Sequence, residues 1–308
     1  MKALYELPAP AKLNLFLHVV GRRADGYHLL QSVFVLIDWC DTLHVERRVD
    51  GGLTRHDLGP ALPADDLCLR AARALQRESG TAFGADITLD KRLPVGAGMG
   101  GGSSDAATTL LALNRLWRLD WPLPRLLALG LKLGADVPFF LGGTNAFVEG
   151  IGERLTPLRL PQQWLAVVKP AASVDTRSIF DSPQLSRDSE AVILESFLAD
   201  ASVGRGFGQG SFGRNDLQLP ATSRCAEISE AARWLEGRFG NSRMTGSGSA
   251  VFAGAGTGAE PVASMPAAEL PPGWVGRMCR SLEQHPLRGF GAELGRRLSA
   301  VAGSWRKP

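Results

Sequence analysis

Lysine is scarce in this chain: only Lys2, Lys12, Lys91, Lys132, Lys169 and Lys307 stand among 34 basic residues, and arginine supplies the rest. A lysine inside an apolar run therefore stands out. Cysteine is scarce too. Cys40, Cys68, Cys225 and Cys279 lie far apart with no C-x-x-C pair, which argues against a zinc site and a disulfide framework and fits a reducing cytosol. The five histidines form no H-E-x-x-H or other ligand spacing, so no protein metal site is predicted. No apolar run reaches the ~18 residues a membrane helix needs. Glu6, Pro8, Pro10, Lys12 and Asn14 interrupt the apolar drift of the N-terminus, so no signal-peptide core is expected. These absences predict a cytoplasmic protein with no membrane partner.

What remains is the composition of an ordinary globular protein, 44% hydrophobic and 21% charged over 308 residues. That length suggests two domains or one large one. A net charge of +3 suits anionic small molecules such as nucleotides without demanding nucleic acid.

Residues Leu13 to Val20 alternate as a strand does, with Lys12, Asn14, Phe16 and His18 on one face and Leu13, Leu15, Leu17 and Val19 on the other. Asp25-Gly26 marks a hairpin turn into a second strand from about Leu29 to Ile37. Further strands are expected at Thr42–Val49, Ala85–Leu89, Ala146–Glu149, Leu165–Val168 and Ala250–Ala253. Helices are expected at Asp65–Ser79, Ser104–Trp117, Leu123–Leu133, Ser189–Leu198 and Thr222–Phe239, with Gly80 and Gly134 as C-terminal caps. Strands and helices mix without regular βαβ alternation, which reads as α+β. The turn-rich passage Leu158–Trp164 is the expected boundary between domains 1–160 and 161–308.

The strongest local signal is Pro94-Val95-Gly96-Ala97-Gly98-Met99-Gly100-Gly101-Gly102-Ser103-Ser104. A strand candidate precedes it and a helix follows. Glycines let successive backbone N–H groups converge, positive φ being expected along the loop with Gly101 included, and the helix N-terminus adds partial positive charge. Together these hold polyphosphate. The loop lacks G-K-[ST], so it is not a Walker A motif. Its G-x-G-x-x-G arrives too late in the chain for a Rossmann unit, and Asp120 is followed by a turn. A structural glycine turn with a serine cap is the bland alternative.

Lys12 shares a strand face with Asn14, and alone would read as a solvent-facing edge lysine. Asp136, in Leu133-Gly134-Ala135-Asp136-Val137-Pro138, would alone read as a helix cap. With a phosphate cradle they gain weight, because phosphoryl transfer needs a cation, a hydroxyl-orienting carboxylate and a site for the phosphates.

The stretch from Pro10 through Lys12, Asn14, Tyr27 and His28 to Phe34 resembles the opening signature of 4-diphosphocytidyl-2-C-methyl-D-erythritol kinases, within the GHMP superfamily. The glycine loop, with Met99 where that family's leucine is expected, the Asp136 segment, Asn215-Asp216-Leu217 and Met244–Ala250 resemble its later motifs in the same order. The resemblance spans about residues 5–287. It implies a two-domain GHMP kinase fold, the N-terminal domain like ribosomal protein S5 domain 2 and the C-terminal one a ferredoxin-like sandwich. It also implies ATP and Mg2+, with Pro94–Ser104 around the phosphates. Asp136 would be the catalytic base with Lys12 its charged partner. Asn14, Tyr27, His28, Thr176 and Phe180 would line the substrate pocket, Tyr27 and Phe180 stacking on cytosine. Ser104 and Asp105 are the candidates near magnesium. A small-molecule substrate, no nucleic-acid partner and a monomer or weak homodimer are expected.

Three other readings stay open. A sister GHMP kinase would act on mevalonate, homoserine or a sugar. An RNA binder is suggested by Gly204–Gly213, whose composition is that of a short RGG segment and otherwise of a flexible loop. A regulator would bind nucleotide without catalysis. Beyond Pro286, Leu287, Phe290, Leu294, Leu298, Val301 and Trp305 fall near helical spacing.

Overall fold

A computed structural model describes residues 1–200, 207 and 212–290. Its elements are β1 (Ala3–Arg22), β2 (His28–Arg48), β3 (Leu53–Leu58), α1 (Leu67–Ser79), β4 (Gly84–Asp90), α2 (Gly101–Leu116), α3 (Leu123–Leu133), α4 (Val137–Gly142), β5 (Ala146–Gly150) and β6 (Arg154–Pro157). They continue with β7 (Trp164–Lys169), α5 (Thr176–Phe180), α6 (Leu194–Asp200), α7 (Gln218–Arg224), α8 (Ala226–Phe239), β8 (Arg243–Met244), β9 (Val251–Gly254) and β10 (Val275–Leu282). The expected α+β mixture is what forms.

β2 organises the sheet. One edge pairs antiparallel with β1 along most of its length. The other is shared by β5 at Leu30–Phe34, β10 at Leu36 and Ile37, and β4 at Thr42–Arg48. β10 also pairs with β7, and β7 continues to β9 and β8. Period-two alternation decides which core each β2 residue enters. Phe34 and Leu36 pack beneath α1 to α4, whereas Val33, Val35 and Ile37 face a central core with Leu165, Val167 and Phe252. A third core joins α7 and α8 to Ala166, Val168, Val251 and Ala253.

Several boundaries differ from the sequence reading. The strands expected at Leu29–Ile37 and Thr42–Val49 are one strand. The polar residues between them looked like an end, but their needs are met by distant groups. Asp38 accepts from the Arg280 amide at 2.9 Å, and Asp41 accepts from the Arg92 and Leu93 amides at 2.7 Å each. β1 is buried on both faces rather than one, and a register shift between Asn14 and Leu17 places Leu15 and Phe16 in the same core.

The expected Thr222–Phe239 helix is two helices broken at Cys225 (φ −141°, ψ 101°). The expected Ser189–Leu198 helix begins only at Leu194, because Ser189 and Val192 donate their amides to Val19 O and Gln31 Oε1. Gly80 caps α1 in the left-handed region, but Gly134 is extended. β3 and β10 were not anticipated. Leu287 and Phe290 pack into the core under α1 to α4. The rest of the tail, and Gly204–Gly213 apart from Phe207, Phe212 and Gly213, lie outside the described residues.

Candidate active site

Along its edge away from β2, β1 is met by other segments rather than by solvent. Lys12 donates its amide to Met99 O at 3.0 Å, Asn14 donates to Thr245 Oγ1 at 3.0 Å, and Leu17 donates to Arg214 O at 2.9 Å. The edge-strand lysine reading therefore fails: Lys12 is 3% exposed. Its Nζ donates to Asn14 Oδ1 at 2.6 Å, lies 3.6 Å from Asp136 Oδ2 and sits 4.2 Å above the Phe34 ring. Burial lowers the Lys12 pKa from its ordinary value, and the Asp136 carboxylate pulls the other way. Asn14 is held by donating its Nδ2 to Ser32 Oγ at 2.9 Å, and Ser32 donates to Phe16 O.

Asp136 occupies the N-cap position of α4 but makes no side-chain capping bond. Its carboxylate, about one-third exposed, turns to Lys12 instead. The helix-cap reading thus gives way to an ion pair.

The glycine loop is anchored through its carbonyls. Gly96 O accepts from Ser249, Ala97 O from Ala250 and Met99 O from Lys12. Among the described residues, no hydrogen-bond acceptor takes the amides of Gly98, Met99, Gly100 or Gly101, which lead into the unsatisfied first turn of α2. Gly96, Gly98 and Gly100 all have positive φ, and the last two meet the closest obstacles. At Gly98 (φ +72°) a Cβ would lie 2.3 Å from Thr245 O, and at Gly100 (φ +70°) one would lie 3.0 Å from Phe140 and 3.3 Å from Lys12 Cε. Gly101 departs from expectation: it begins α2 without a positive φ.

One cavity of about 920 Å³ brings together Lys12, Asn14, Asp136, Gly96, Gly98, Gly100, Ser103, Tyr27, His28, Thr176 and Phe180. Pro94, Val95, Ala97, Met99, Gly101, Gly102 and Ser104 do not line it. Ala97 and Met99 face the central core, and Ser104 is fully buried. At the far end His28 stacks on Phe180, ring centroids 5.1 Å apart, while Tyr27 is 61% exposed. Thr176 and Ser247 share a hydrogen bond at 2.7 Å.

Neither magnesium candidate faces this space. Asp105 Oδ2 accepts from Lys91 Nζ at 2.6 Å, and the same ammonium reaches Asp41 at 2.5 Å. Burial pushes the Asp105 carboxyl up to about 8, with Lys91 partly opposing. Lys91 itself is held above its ordinary value: desolvation acts against it, but the two carboxylates outweigh that. This triad braces the loop from beneath. Among the described residues no group of three acidic, thiol or imidazole side chains could hold a metal ion.

Sequence reasoning missed Thr245, Ser247, Ser32 and Arg187 as individual positions, although Ser32, Thr245 and Ser247 lie within motifs it had marked. Arg187 carried no signal, because its partner His28 is 159 residues away.

The family model described as GHMP kinases N terminal domain matches residues 66–144. A protein named 4-diphosphocytidyl-2-C-methyl-D-erythritol kinase from Methylibium petroleiphilum is 65% identical, the match covering 93% of this chain and 98% of that one. The chain belongs to the 4-diphosphocytidyl-2-C-methyl-D-erythritol kinase family. A crystal structure of a 4-(cytidine 5'-diphospho)-2C-methyl-D-erythritol kinase is 39% identical with a TM-score of 0.70, over 81% of this chain and 90% of that one. Homoserine kinase from Cytophaga hutchinsonii aligns over 92% of this chain and 96% of its own at 15% identity and a TM-score of 0.64. That likeness is one of fold alone. The α+β GHMP kinase fold expected from the sequence is thus the fold of this 4-diphosphocytidyl-2-C-methyl-D-erythritol kinase family member.

Proposed function

We propose that the protein phosphorylates the 2-hydroxyl of 4-diphosphocytidyl-2-C-methyl-D-erythritol with ATP, in the non-mevalonate route to isoprenoid precursors. The observation that carries this reading is the buried Lys12 ammonium 3.6 Å from the uncapped Asp136 carboxylate, in the same cavity as the glycine loop and the His28–Phe180 stack.

ATP supplies the transferable phosphoryl group when bound. The unpaired amides at the start of α2 and the close backbone approach at Gly98 and Gly100 fit a triphosphate. Asp136 orients the acceptor hydroxyl and takes its proton, and Lys12 offsets the negative charge that gathers as the phosphoryl moves. Asn14 Oδ1 accepts a hydrogen bond from the ammonium and the Asp136 carboxylate pairs with it at 3.6 Å, so the charge is held in place before transfer. Tyr27, His28 and Phe180 form the wall for the cytosine, and Thr176, hydrogen-bonded to Ser247, lines the same cavity. Magnesium belongs to this chemistry in the family reading; Asp105 does not line the cavity and one of its oxygens is held by Lys91, which argues against its serving as a ligand.

Residues 1–160 are the nucleotide-binding and catalytic domain, and 161–308 the second domain. The core under α1 to α4 and the core under α7 and α8 each draw most of their residues from one side of that boundary, although Leu287 and Phe290 cross into the first, Leu17 and Val19 into the other, and the central core is shared by both. The protein works in the cytoplasm as a monomer or weak homodimer; among the described residues no helix is long and apolar enough to cross a membrane.

The test is purified protein with ATP, magnesium and four separate acceptors: the cytidylylated methylerythritol, mevalonate, homoserine and galactose. ADP release only with the first is expected. Preferred turnover of another acceptor would move the protein to a sister kinase. ATP binding without ADP release would make it a regulator, and salt-steep RNA affinity would revive the RNA reading.

A further inference from the structure

Arg187 lies outside the motifs that define the cavity, yet it ties the two walls of the cavity's far end together. Its Nε donates to His28 Nε2 at 3.1 Å. Its Nη2 donates to Phe180 O at 2.9 Å and Ser182 O at 3.0 Å, and Nη1 donates to Leu185 O at 3.1 Å. With three carbonyls of one loop around it, the guanidinium has no freedom to swing away.

A guanidinium is a donor only and stays protonated. The ring nitrogen it faces must therefore present a lone pair, which leaves the single proton of a neutral imidazole on Nδ1. Protonating the ring would set one N–H against another. Burial, Arg187 and Arg22 together hold the His28 pKa below its ordinary value, with Asp181 acting against them. Among the described residues no protein group hydrogen-bonds Nδ1, and His28 lines the cavity.

We propose that Arg187 is a positioning residue that locks His28 in its Nδ1–H form, so that the pocket offers a fixed donor to an acceptor on the base. This rests on reading the Tyr27, His28 and Phe180 wall as the base site. At the N3 position cytosine carries an acceptor and uracil carries an N–H. A locked donor there rejects uracil by leaving two hydrogens opposed, and a ring free to change tautomer would not. Arg187 thus sets base specificity without touching the base.

The experiment pairs kinetics with the imidazole tautomer. Long-range 15N–1H spectra of histidine-labelled protein, with the His28 signal assigned by its loss in His28→Gln, give the tautomer directly. Wild type should show His28 neutral with the proton on Nδ1, and Arg187→Met should show a mixture. In the same variant KM for the cytidine substrate should rise about tenfold, the scale of one lost hydrogen bond, and by more than kcat falls. KM for ATP should stay put, and the preference for cytosine over uracil substrates should shrink. Arg187→Lys, which keeps a charge but not the fork, should recover only part of the preference.

An unchanged tautomer and an unchanged cytosine preference in Arg187→Met would overturn the proposal. So would equal rises in the KM of both substrates and of ATP, which mark a loop that has merely loosened. The underlying reading fails separately: Tyr27→Ala and His28→Ala would then leave KM for the cytidine substrate untouched, whatever Arg187 does.

Discussion

Where Lys12 and Asp136 meet, nearly every group is tied into the fold; around Tyr27 the chain is open. Lys12, Asn14, Ser32 and Thr245 are all under 4% exposed, and each is fixed by a partner from another element. Tyr27 stands in a short turn, and Phe180 ends a five-residue helix. In the proposed function the Lys12 end is where the phosphoryl moves, and transfer depends on charge held in place before the reaction, which bracing by strands and by the Lys91 triad supplies. Base recognition needs a planar surface and one or two directed polar groups, which loops can supply and which must open to admit the ligand.

The sharpest way to break this contrast is at the ion pair. Asp136→Asn keeps the shape and removes the proton acceptor, and Lys12→Met removes the charge but keeps the stem. Each should lower kcat by ~10²-fold or more, and the double variant should lose little beyond the worse single one because the two act as a unit. Steady-state kinetics at saturating substrates measure this, with circular dichroism as the check on folding. An Asp136→Asn enzyme with near wild-type kcat while chemistry limits turnover would return Asp136 to a structural role.

Next comes the loop. Gly98→Ala drives a methyl toward Thr245 O at a positive φ, and should raise KM for ATP by about tenfold or more by displacing the loop. Gly101→Ala, in the first turn of α2, should do much less. Nucleotide titration with thermal melts of both variants separates cradle distortion from general instability. Equal effects would erase the distinction between the positive-φ glycines and the helix residue.

At the open end, Tyr27→Ala should raise KM for the cytidine substrate by a factor corresponding to ~1–3 kcal/mol of lost stacking. Melting temperature and KM for ATP should not move, since the ring is mostly exposed. A drop in stability would show that this end is braced after all.

The effect that touches the cavity least concerns pH. Burial lowers the His285 pKa to about 4, while its Nδ1 accepts from the Leu287 amide at 3.0 Å. The folded state holds it neutral. Its contribution is present in full above the ordinary value of ~6.5 and is lost as pH falls toward about 4. Unfolding free energy should drop by about 1.4 kcal/mol per pH unit across that window from this group. His285→Gln should flatten the slope by one proton in urea melts at several pH values.

Much of the site was legible locally. Alternation put Lys12 and Asn14 on one face, the run of glycines marked the loop that leads into α2 and lines the cavity, and Leu123–Leu133 was placed to the residue. Boundaries were lost where a distant group met a local need. The Asp38–Asp41 stretch reads as a strand end until Arg280, Arg92 and Leu93 donate to it, and Ser189–Ile193 reads as helix until Val19 and Gln31 take its amides. Asp105, in sequence a plausible ligand beside the loop, is buried away from the cavity, where it pairs with Lys91 and burial pushes its carboxyl up to about 8.

The sequence by itself determined the α+β class, the glycine loop before α2 and the residue types at both ends of the cavity, because periodicity, glycine freedom and capping are short-range properties of the chain. Only the tertiary structure decided that Asp136 leaves its helix uncapped for Lys12, and that Arg187 reaches His28. Both are pairings across more than 100 residues, set by how β1 and β2 are packed rather than by any neighbouring residue.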